Sequence, residues 1–183
     1  MNNYVFMYQE FYIEQVSLEV EDFIREKQNV FIEEIKLETE KGSTYHIFYD
    51  TSKYQDILSI HFVLSVYSGG AHDIRFDRVY YYDLNCHEEI FLDDILMYDE
   101  SFLEELSVLA KDILLKEKKD VIFDDEVILD EGLMPTATNF QYLMFEEQNL
   151  KVIFPPYQVG PWSSGAIDVL IPYSKIVKYL KIC

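Results

Sequence analysis

The sequence predicts an α+β fold in which a twisted, mainly antiparallel sheet carries helices packed mainly on one face. Residues alternate between the two faces of a strand along Ile57–Tyr67, and strand-like sequence resumes over Ile74–Leu84. Apolar residues at helical spacing mark a long amphipathic helix from Phe102 to Leu115. Clustered strands combined with separate long helices are typical of α+β domains.

The N-terminal part predicts a strand followed by a helix. Tyr4 to Val16 is rich in aromatic and β-branched residues, which favour a strand. Ser17 is suited to cap a helix, and acidic residues in the first turn complement the positive end of its dipole. The predicted helix runs from Ser17 to Lys36 and carries a broad apolar stripe at helical spacing, formed by Val20, Phe23, Ile24, Phe31 and Ile35.

The middle of the chain predicts an antiparallel meander. Thr44 to Tyr49 is strand-like, and the alternation of the next strand places Ile60 and Phe62 on one face and His61 on the other. Asn85-Cys86-His87-Glu88 reads as a hairpin turn after the strand that ends at Leu84.

The second half predicts helices and then three strands. Asp93 to Leu96 favours a short helical turn, and Asp99 or Ser101 is placed to cap the long helix. Phe102, Leu106, Leu109 and Ile113 are expected to point inward. Strands are predicted at Phe140–Phe145, Leu150–Phe154 and Ala166–Ile171, and a closing helix at Tyr173–Leu180.

Length and charge limit the function classes. The 183 residues predict an N-terminal strand and helix lobe over 1–40 and an α+β domain over 41–183. With 34 acidic and 15 basic residues the net charge is −19, which argues against a nucleic-acid partner because binding phosphates requires a basic surface. The charge is explained either by plain solubility or by attraction to a cationic partner.

The cysteines and the N-terminus give few functional signals. Cys86 and Cys183 define neither a disulfide framework nor a metal motif, although one bridge between them is an open alternative. Met1 to Glu10 has neither the basic region nor the apolar core of a signal peptide. No stretch reaches the apolar length that inserts into a bilayer. A soluble chain and a piece of an exported or membrane-tethered protein both fit these observations.

The segment Pro155–Gly165 predicts a rigid loop that carries aromatic side chains. Its eleven residues hold three prolines, two glycines, Tyr157 and Trp162, and apolar strand-like runs flank it. A second glycine-containing loop spans Ser68–Asp73. We expect both loops to be structural at their bases and to make contacts at their tips, with some of Gly69, Gly70, Gly160 and Gly165 at positive φ. The candidate partner-binding residues are Gly69, Gly70, Ala71, His72, Tyr157, Gln158, Val159, Gly160, Pro161 and Trp162.

Two residues of these loops have alternative interpretations. His72 would contact a ligand or would hold its own loop through a hydrogen bond to the backbone. Trp162, the only tryptophan, would stack on a sugar, anchor a protein interface, or close the edge of the sheet.

Several motifs together resemble a known bacterial domain of unknown function. The first half of the pattern is Tyr67-Ser68-Gly69-Gly70-Ala71-His72, Tyr81-Tyr82-Asp83-Leu84 and Ile90-Phe91-Leu92-Asp93-Asp94-Ile95. The second half is Asn139-Phe140, Leu150–Phe154, Pro156-Tyr157-Gln158-Val159-Gly160-Pro161, Gly165 and Ile171-Pro172-Tyr173-Ser174. From about Tyr45 to Leu180, the chain resembles the RsiV/PdaC-like family, found outside the membrane in the anti-sigma factor RsiV and beside the catalytic domain of the peptidoglycan deacetylase PdaC.

The resemblance implies an extracytoplasmic α+β binding domain of the bacterial cell envelope. In RsiV this region is the receptor for lysozyme, which implies a lysozyme-like cationic protein as a partner here. The sequence shows no transmembrane helix, no sigma-binding segment and no deacetylase domain. Phe123-Asp124-Asp125 echoes the paired aspartates of polysaccharide deacetylases, but the two closely spaced histidines of such a metal site are absent.

Two function hypotheses follow. The first is a non-catalytic recognition or sensing domain, with no cofactor and no metal, that binds a lysozyme-like protein. The alternative is an accessory or catalytic domain that acts on peptidoglycan or another cell-wall polysaccharide. The absence of a phosphate loop, a serine elbow and a Cys–His signature favours the first hypothesis.

Overall fold

The computed structural model describes residues 17–38 and 43–181. The strand predicted at Tyr4–Val16 lies outside these residues, as does Cys183, and Cys86 is exposed. The strands are β1 Thr44–Tyr54, β2 Ile57–Tyr67, β3 Ile74–Asp83, β4 Glu88–Ile90, β5 Leu143–Phe145, β6 Asn149–Phe154 and β7 Ile167–Pro172. The helices are α1 Leu18–Glu38, α2 Leu92–Ile95, α3 Glu100–Glu117, α4 Glu126–Gly132 and α5 Tyr173–Ile176, with 3₁₀ turns at Trp162–Ser164 and Val177–Tyr179.

The first four strands form an antiparallel sheet in the order β1-β2-β3-β4, and α1 covers one face of it. The period-two alternation of β2 turns Ile60, Phe62 and Leu64 toward the helix, where all three are fully buried. The predicted apolar stripe of α1 supplies the opposite side of this core, which confirms the helix and its inward face.

The last three strands form a second antiparallel sheet in the order β5-β6-β7, and α3 packs on it. Phe102 and Leu106 are fully buried in this second core, and Leu109 and Ile113 pack against it partly buried. Of the two predicted caps, Asp99 is the one used: its carboxylate accepts a hydrogen bond from the Phe102 N–H at 2.9 Å.

The α+β class with antiparallel strands is confirmed, but the strands divide between two sheets, whereas the sequence predicted one. The long excursion through α2, α3 and α4 separates β4 from β5, and β5 then pairs with β6. Two side chains of the first sheet join the sheets at this junction. The Ser59 hydroxyl accepts a hydrogen bond from the Phe145 N–H at 2.9 Å, and the buried Tyr81 hydroxyl donates to the Leu143 carbonyl at 2.8 Å.

Two predicted elements are shorter than expected. The strand predicted from Phe140 begins only at Leu143, because the Phe140 N–H donates to the Thr136 carbonyl in a turn. The closing helix ends after α5 and a 3₁₀ turn, since Leu180 forms a bridge with Leu96. Within residues 17–38 and 43–181, no helix combines the length and apolar character needed to cross a membrane.

Candidate functional site

The two loops singled out in the sequence meet in space and form an aromatic cluster of His72, Tyr157 and Trp162. The His72 and Trp162 rings stack with centroids 4.2 Å apart and an interplanar angle of 21°. The Tyr157 ring lies 6.2 Å from His72 and 5.8 Å from Trp162 between centroids. His72 comes from the β2–β3 loop and the other two from the β6–β7 loop, so the cluster joins the two sheets.

Hydrogen bonds fix the His72 side of the cluster. The Asp73 carbonyl, which can only accept, lies 2.9 Å from His72 Nδ1, so this nitrogen carries a proton. In the neutral ring Nε2 is then an acceptor, and the Tyr157 hydroxyl faces it at 3.4 Å. The Asp73 carboxylate accepts from the Ser65 hydroxyl at 2.5 Å, which ties the loop to β2. The backbone hydrogen bond predicted as one role of His72 is therefore present, together with its place in the cluster.

Tyr157 occupies a backbone position that favours glycine. The Gln158 N–H donates to the Pro155 carbonyl at 3.1 Å, which closes a turn with Pro156 second and Tyr157 third. Tyr157 has φ +74°, and proline followed by positive φ is the arrangement of a type II turn, whose third residue is normally Gly or Asn. A tyrosine there stores strain of about 1–3 kcal/mol, and such strain concentrates at functional sites. The turn presents the Tyr157 side chain to solvent with 57% exposure.

The base of the β6–β7 loop is locked into the protein by Gln158, Val159 and Gly160. The Gln158 amide nitrogen donates to the carbonyls of Gly132 at 2.9 Å and Asn139 at 2.8 Å. Val159 is fully buried and its carbonyl accepts from the Phe123 N–H. A Cβ on Gly160 would lie 2.5 Å from the Val121 carbonyl oxygen. These three predicted contact residues therefore position the loop from inside, whereas Tyr157 is exposed at its tip and Trp162 is half-buried beside it.

The other candidate residues lie either in the β2–β3 loop or around the 3₁₀ turn of the β6–β7 loop. Ala71 and Gly70 are exposed in the β2–β3 loop, and Gly69 adopts φ +91° there. Pro161 is half-buried and precedes the 3₁₀ turn that carries Trp162. Gly165 ends that turn with φ +68°. The expectation that some of the four glycines have positive φ is confirmed for Gly69 and Gly165, while Gly160 is required for close packing.

We expect Tyr157→Gly to be more stable than Tyr157→Ala by about 1 kcal/mol, because only glycine relieves the positive φ while both variants lose the ring. Urea denaturation of the two variants measures the difference, and the alanine variant is the matched control for the lost side chain. An alanine variant as stable as the glycine variant would show that this backbone position is unstrained.

A polar cluster that the sequence did not reveal lies on the other face of β2 and β3. His61 Nε2 lies 2.7 Å from Asp77 Oδ1, and the Arg75 guanidinium donates to both Asp77 oxygens at 2.8 and 2.7 Å. The Asp77 side chain is only 1% exposed. Burial disfavours its charged form, but the hydrogen bonds from Arg75 and His61 outweigh burial and hold the Asp77 pKa below its usual range.

The alternation along β2 predicts that His61 lies on the face away from α1. Its pairing with Asp77 could not be predicted, because it depends on the register between β2 and β3. Gly132 and Asn139, which hold Gln158, carried no local signal for that role.

The Phe123-Asp124-Asp125 motif is structural, since Asp125 caps α4 by accepting from the Val127 N–H at 2.9 Å. In the described part of the chain, no group of three or more His, Cys, Asp or Glu side chains is arranged to hold a metal ion.

Comparison with known proteins confirms the predicted resemblance to the PdaC-like domain family. Residues 89–174 match a family model described as a protein of unknown function, DUF3298. The chain is 29% identical over 163 residues to the peptidoglycan-N-acetylmuramic acid deacetylase PdaC of Bacillus subtilis (strain 168). That alignment covers 89% of this chain but only 34% of PdaC, so the chain spans about a third of the length of this relative.

Solved structures of DUF3298 proteins share the fold. A DUF3298 family protein from Pseudomonas aeruginosa PAO1 superposes with a TM-score of 0.57 at 17% identity, over 82% of this chain and 68% of that one. A DUF3298 member from Bacteroides fragilis NCTC 9343 also gives 0.57, at 21% identity, over 89% of this chain and 65% of that one.

Proposed function

We propose that this chain, which contains a DUF3298 match related to PdaC, is a non-catalytic recognition domain of the bacterial cell envelope that binds a lysozyme-like cationic protein. The observation that carries the proposal is the convergence of two loops from different sheets on one aromatic cluster, in which His72 and Tyr157 are exposed and Trp162 is half-buried. Interfaces take most of their binding energy from a few aromatic or arginine anchors held in rigid surroundings.

The support for a cationic partner is the charge of the chain. A net charge of −19 accelerates association with a positively charged protein and makes it sensitive to salt. Charge alone attracts any cationic protein, and the aromatic cluster would supply the shape that selects one of them. The sequence resemblance to the lysozyme receptor region of RsiV supports the choice of lysozyme as the test partner.

Titration calorimetry with lysozyme and with an unrelated protein of similar positive charge tests this function near physiological salt. There charges are screened beyond about 8 Å, so binding that depends on shape is measured with less contribution from long-range attraction. We expect binding to lysozyme only. Replacing Tyr157 and Trp162 together by alanine should weaken it on the order of thirtyfold, the loss of a 2 kcal/mol anchor.

The control variant is Phe91→Ala, which removes an aromatic ring that is 66% exposed outside the cluster and should leave the affinity unchanged. Circular dichroism checks that both variants remain folded. Equal binding to the two cationic proteins would reduce the interaction to electrostatics, and no binding to lysozyme would reject the proposed partner.

A second candidate function is supported by the similarity to PdaC, whose name describes an enzyme of peptidoglycan. In this role the domain would hold or act on a cell-wall polysaccharide. Titration of soluble peptidoglycan fragments in the same calorimeter separates the two candidates, because a saccharide-binding domain responds to the fragments and a protein receptor does not.

A further inference from the structure

We propose that the aromatic cluster of His72, Tyr157 and Trp162 is a receptor for an arginine side chain of the partner, bound through cation–π contact with the Tyr157 and Trp162 rings. This inference rests on the proposed recognition of a cationic protein and names the chemical group that is recognised. A cation within about 6 Å of a ring centroid is attracted by the negative face of the ring, most strongly by tryptophan. The two centroids are 5.8 Å apart, so one planar guanidinium can contact both rings.

The cluster is electron-rich and receives no cation from the described residues of its own chain. The cation–π contacts in residues 17–38 and 43–181 lie elsewhere: Lys27 with Phe23 and Tyr80, Arg78 with Phe31, and Lys178 with Tyr179. His72 adds a third aromatic ring, stacked on Trp162. A strongly acidic protein that leaves the Tyr157 ring exposed and the Trp162 ring half-buried at its surface is therefore complementary to a cationic side chain.

The polar atoms of the cluster favour a cation over a sugar. Sugar hydroxyl groups are bound by free donors and acceptors beside an aromatic platform, in addition to stacking. Here the Tyr157 hydroxyl faces His72 Nε2, and His72 Nδ1 donates to the Asp73 carbonyl. The polar atoms of these two rings are thus already directed at each other or at the backbone, while the Tyr157 ring, with the side chain 57% exposed, remains for contact.

The backbone explains how the receptor is held ready for its ligand. Tyr157 is fixed at positive φ between Pro156 and the locked Gln158, and Trp162 is stacked on His72. The rings therefore have little conformational freedom to lose on binding, and pre-organisation of this kind raises affinity. A loop that served only as a connection would gain nothing from a strained tyrosine in its turn.

The intrinsic fluorescence of Trp162 tests the proposal, because it is the only tryptophan of the chain and reports on this cluster alone. The probes are the peptide Gly-Arg-Arg-Gly and its citrulline analogue, which has nearly the same shape but no charge. We expect a saturable change in emission with the arginine peptide and none with the citrulline peptide. At about 0.15 M salt, Tyr157→Leu should weaken arginine-peptide binding on the order of tenfold, whereas Tyr157→Phe, which keeps the ring, should retain it.

The outcomes separate this inference from the proposed function. If the arginine peptide binds and lysozyme does not, the proposed lysozyme-like partner is rejected and the arginine receptor is supported. If lysozyme binds the parent and Tyr157→Leu equally well, the partner stands and the receptor is rejected. Chitotetraose is added as a third, saccharide probe. Equal responses to the two peptides, or a response to chitotetraose alone, would also overturn the cationic receptor, the latter in favour of a saccharide.

Discussion

Replacing Gly132 by alanine is expected to destabilise the protein by about 3 kcal/mol and to abolish binding at the aromatic cluster, although Gly132 belongs to neither loop. A Cβ on Gly132 would lie 1.9 Å from the carbonyl oxygen of Gln158 and 2.9 Å from its carbonyl carbon. Both atoms are backbone, so a side-chain rotation cannot relieve the clash. The loop that carries Tyr157 must move away from α4, which breaks the hydrogen bond from the Gln158 amide to the Gly132 carbonyl.

Urea denaturation measures the stability of Gly132→Ala, and Trp162 emission shows whether the cluster has rearranged. Gly70→Ala is the matched control, because its Cβ would lie 3.7 Å from the nearest atom, the His72 carbonyl oxygen, which is ordinary contact. We expect that variant to stay within about 0.5 kcal/mol of the parent. A Gly132→Ala protein with parental stability and unchanged emission would disprove the supporting role of Gly132.

Replacing Asp77 by asparagine is expected to lower the free energy of unfolding by about 3 kcal/mol at neutral pH. The change removes the negative charge that pairs with Arg75 and His61, and it places an amide N–H where the carboxylate accepted hydrogen bonds. Breaking a buried ion pair by removing one partner is strongly destabilising because the remaining charge is left without compensation. Asp112→Asn is the control, since Asp112 pairs with Lys116 on an exposed surface and should contribute at most about 1 kcal/mol.

The effect of Asp77→Asn should depend on pH in a defined direction. Because the pKa of Asp77 is lower in the folded protein than in the unfolded chain, its ionisation stabilises the fold above the unfolded value, about 3.9. That contribution is lost as the pH falls through the folded pKa. The difference in stability between the parent and Asp77→Asn should therefore shrink below about pH 4. A difference that is constant from pH 7 into the acid range would assign the effect to packing instead of charge.

The sequence predicted elements whose signal is local. The stripe on α1 and the alternation of β2 each follow from a repeated spacing of apolar residues, and both were confirmed. The division into two sheets was not predicted, because it depends on which strand β5 joins after a long helical excursion. Strand propensity does not specify which strand is the neighbour. The sequence therefore could not show that β5 pairs with β6, as Phe145 does with Leu150, and not with a strand of the first sheet.

The candidate site was predicted in part for the same reason. Proline, glycine and aromatic residues in one short segment marked the β6–β7 loop, and Gly69-Gly70 marked the β2–β3 loop. That His72 would stack on Trp162 could not be predicted, since 90 positions separate them in the sequence. Nor does any spacing reveal that Gln158 points inward to Gly132 while its neighbour Tyr157 points outward. These relations are set by tertiary packing.

The junction between the sheets gives the aromatic cluster a thermodynamic link to the rest of the fold. The Ser59 and Tyr81 hydroxyls join the two sheets, and His72 belongs to one sheet while Trp162 belongs to the other. A ligand that contacts Trp162 in its position stacked on His72 binds preferentially to molecules in which the sheets are docked. Its occupancy then adds up to RT ln(1 + [L]/Kd) to the stability of the junction. At a ligand concentration one hundred times Kd this is about 2.7 kcal/mol. A partner bound at this surface would thus oppose separation of the two sheets without requiring the domain to change shape.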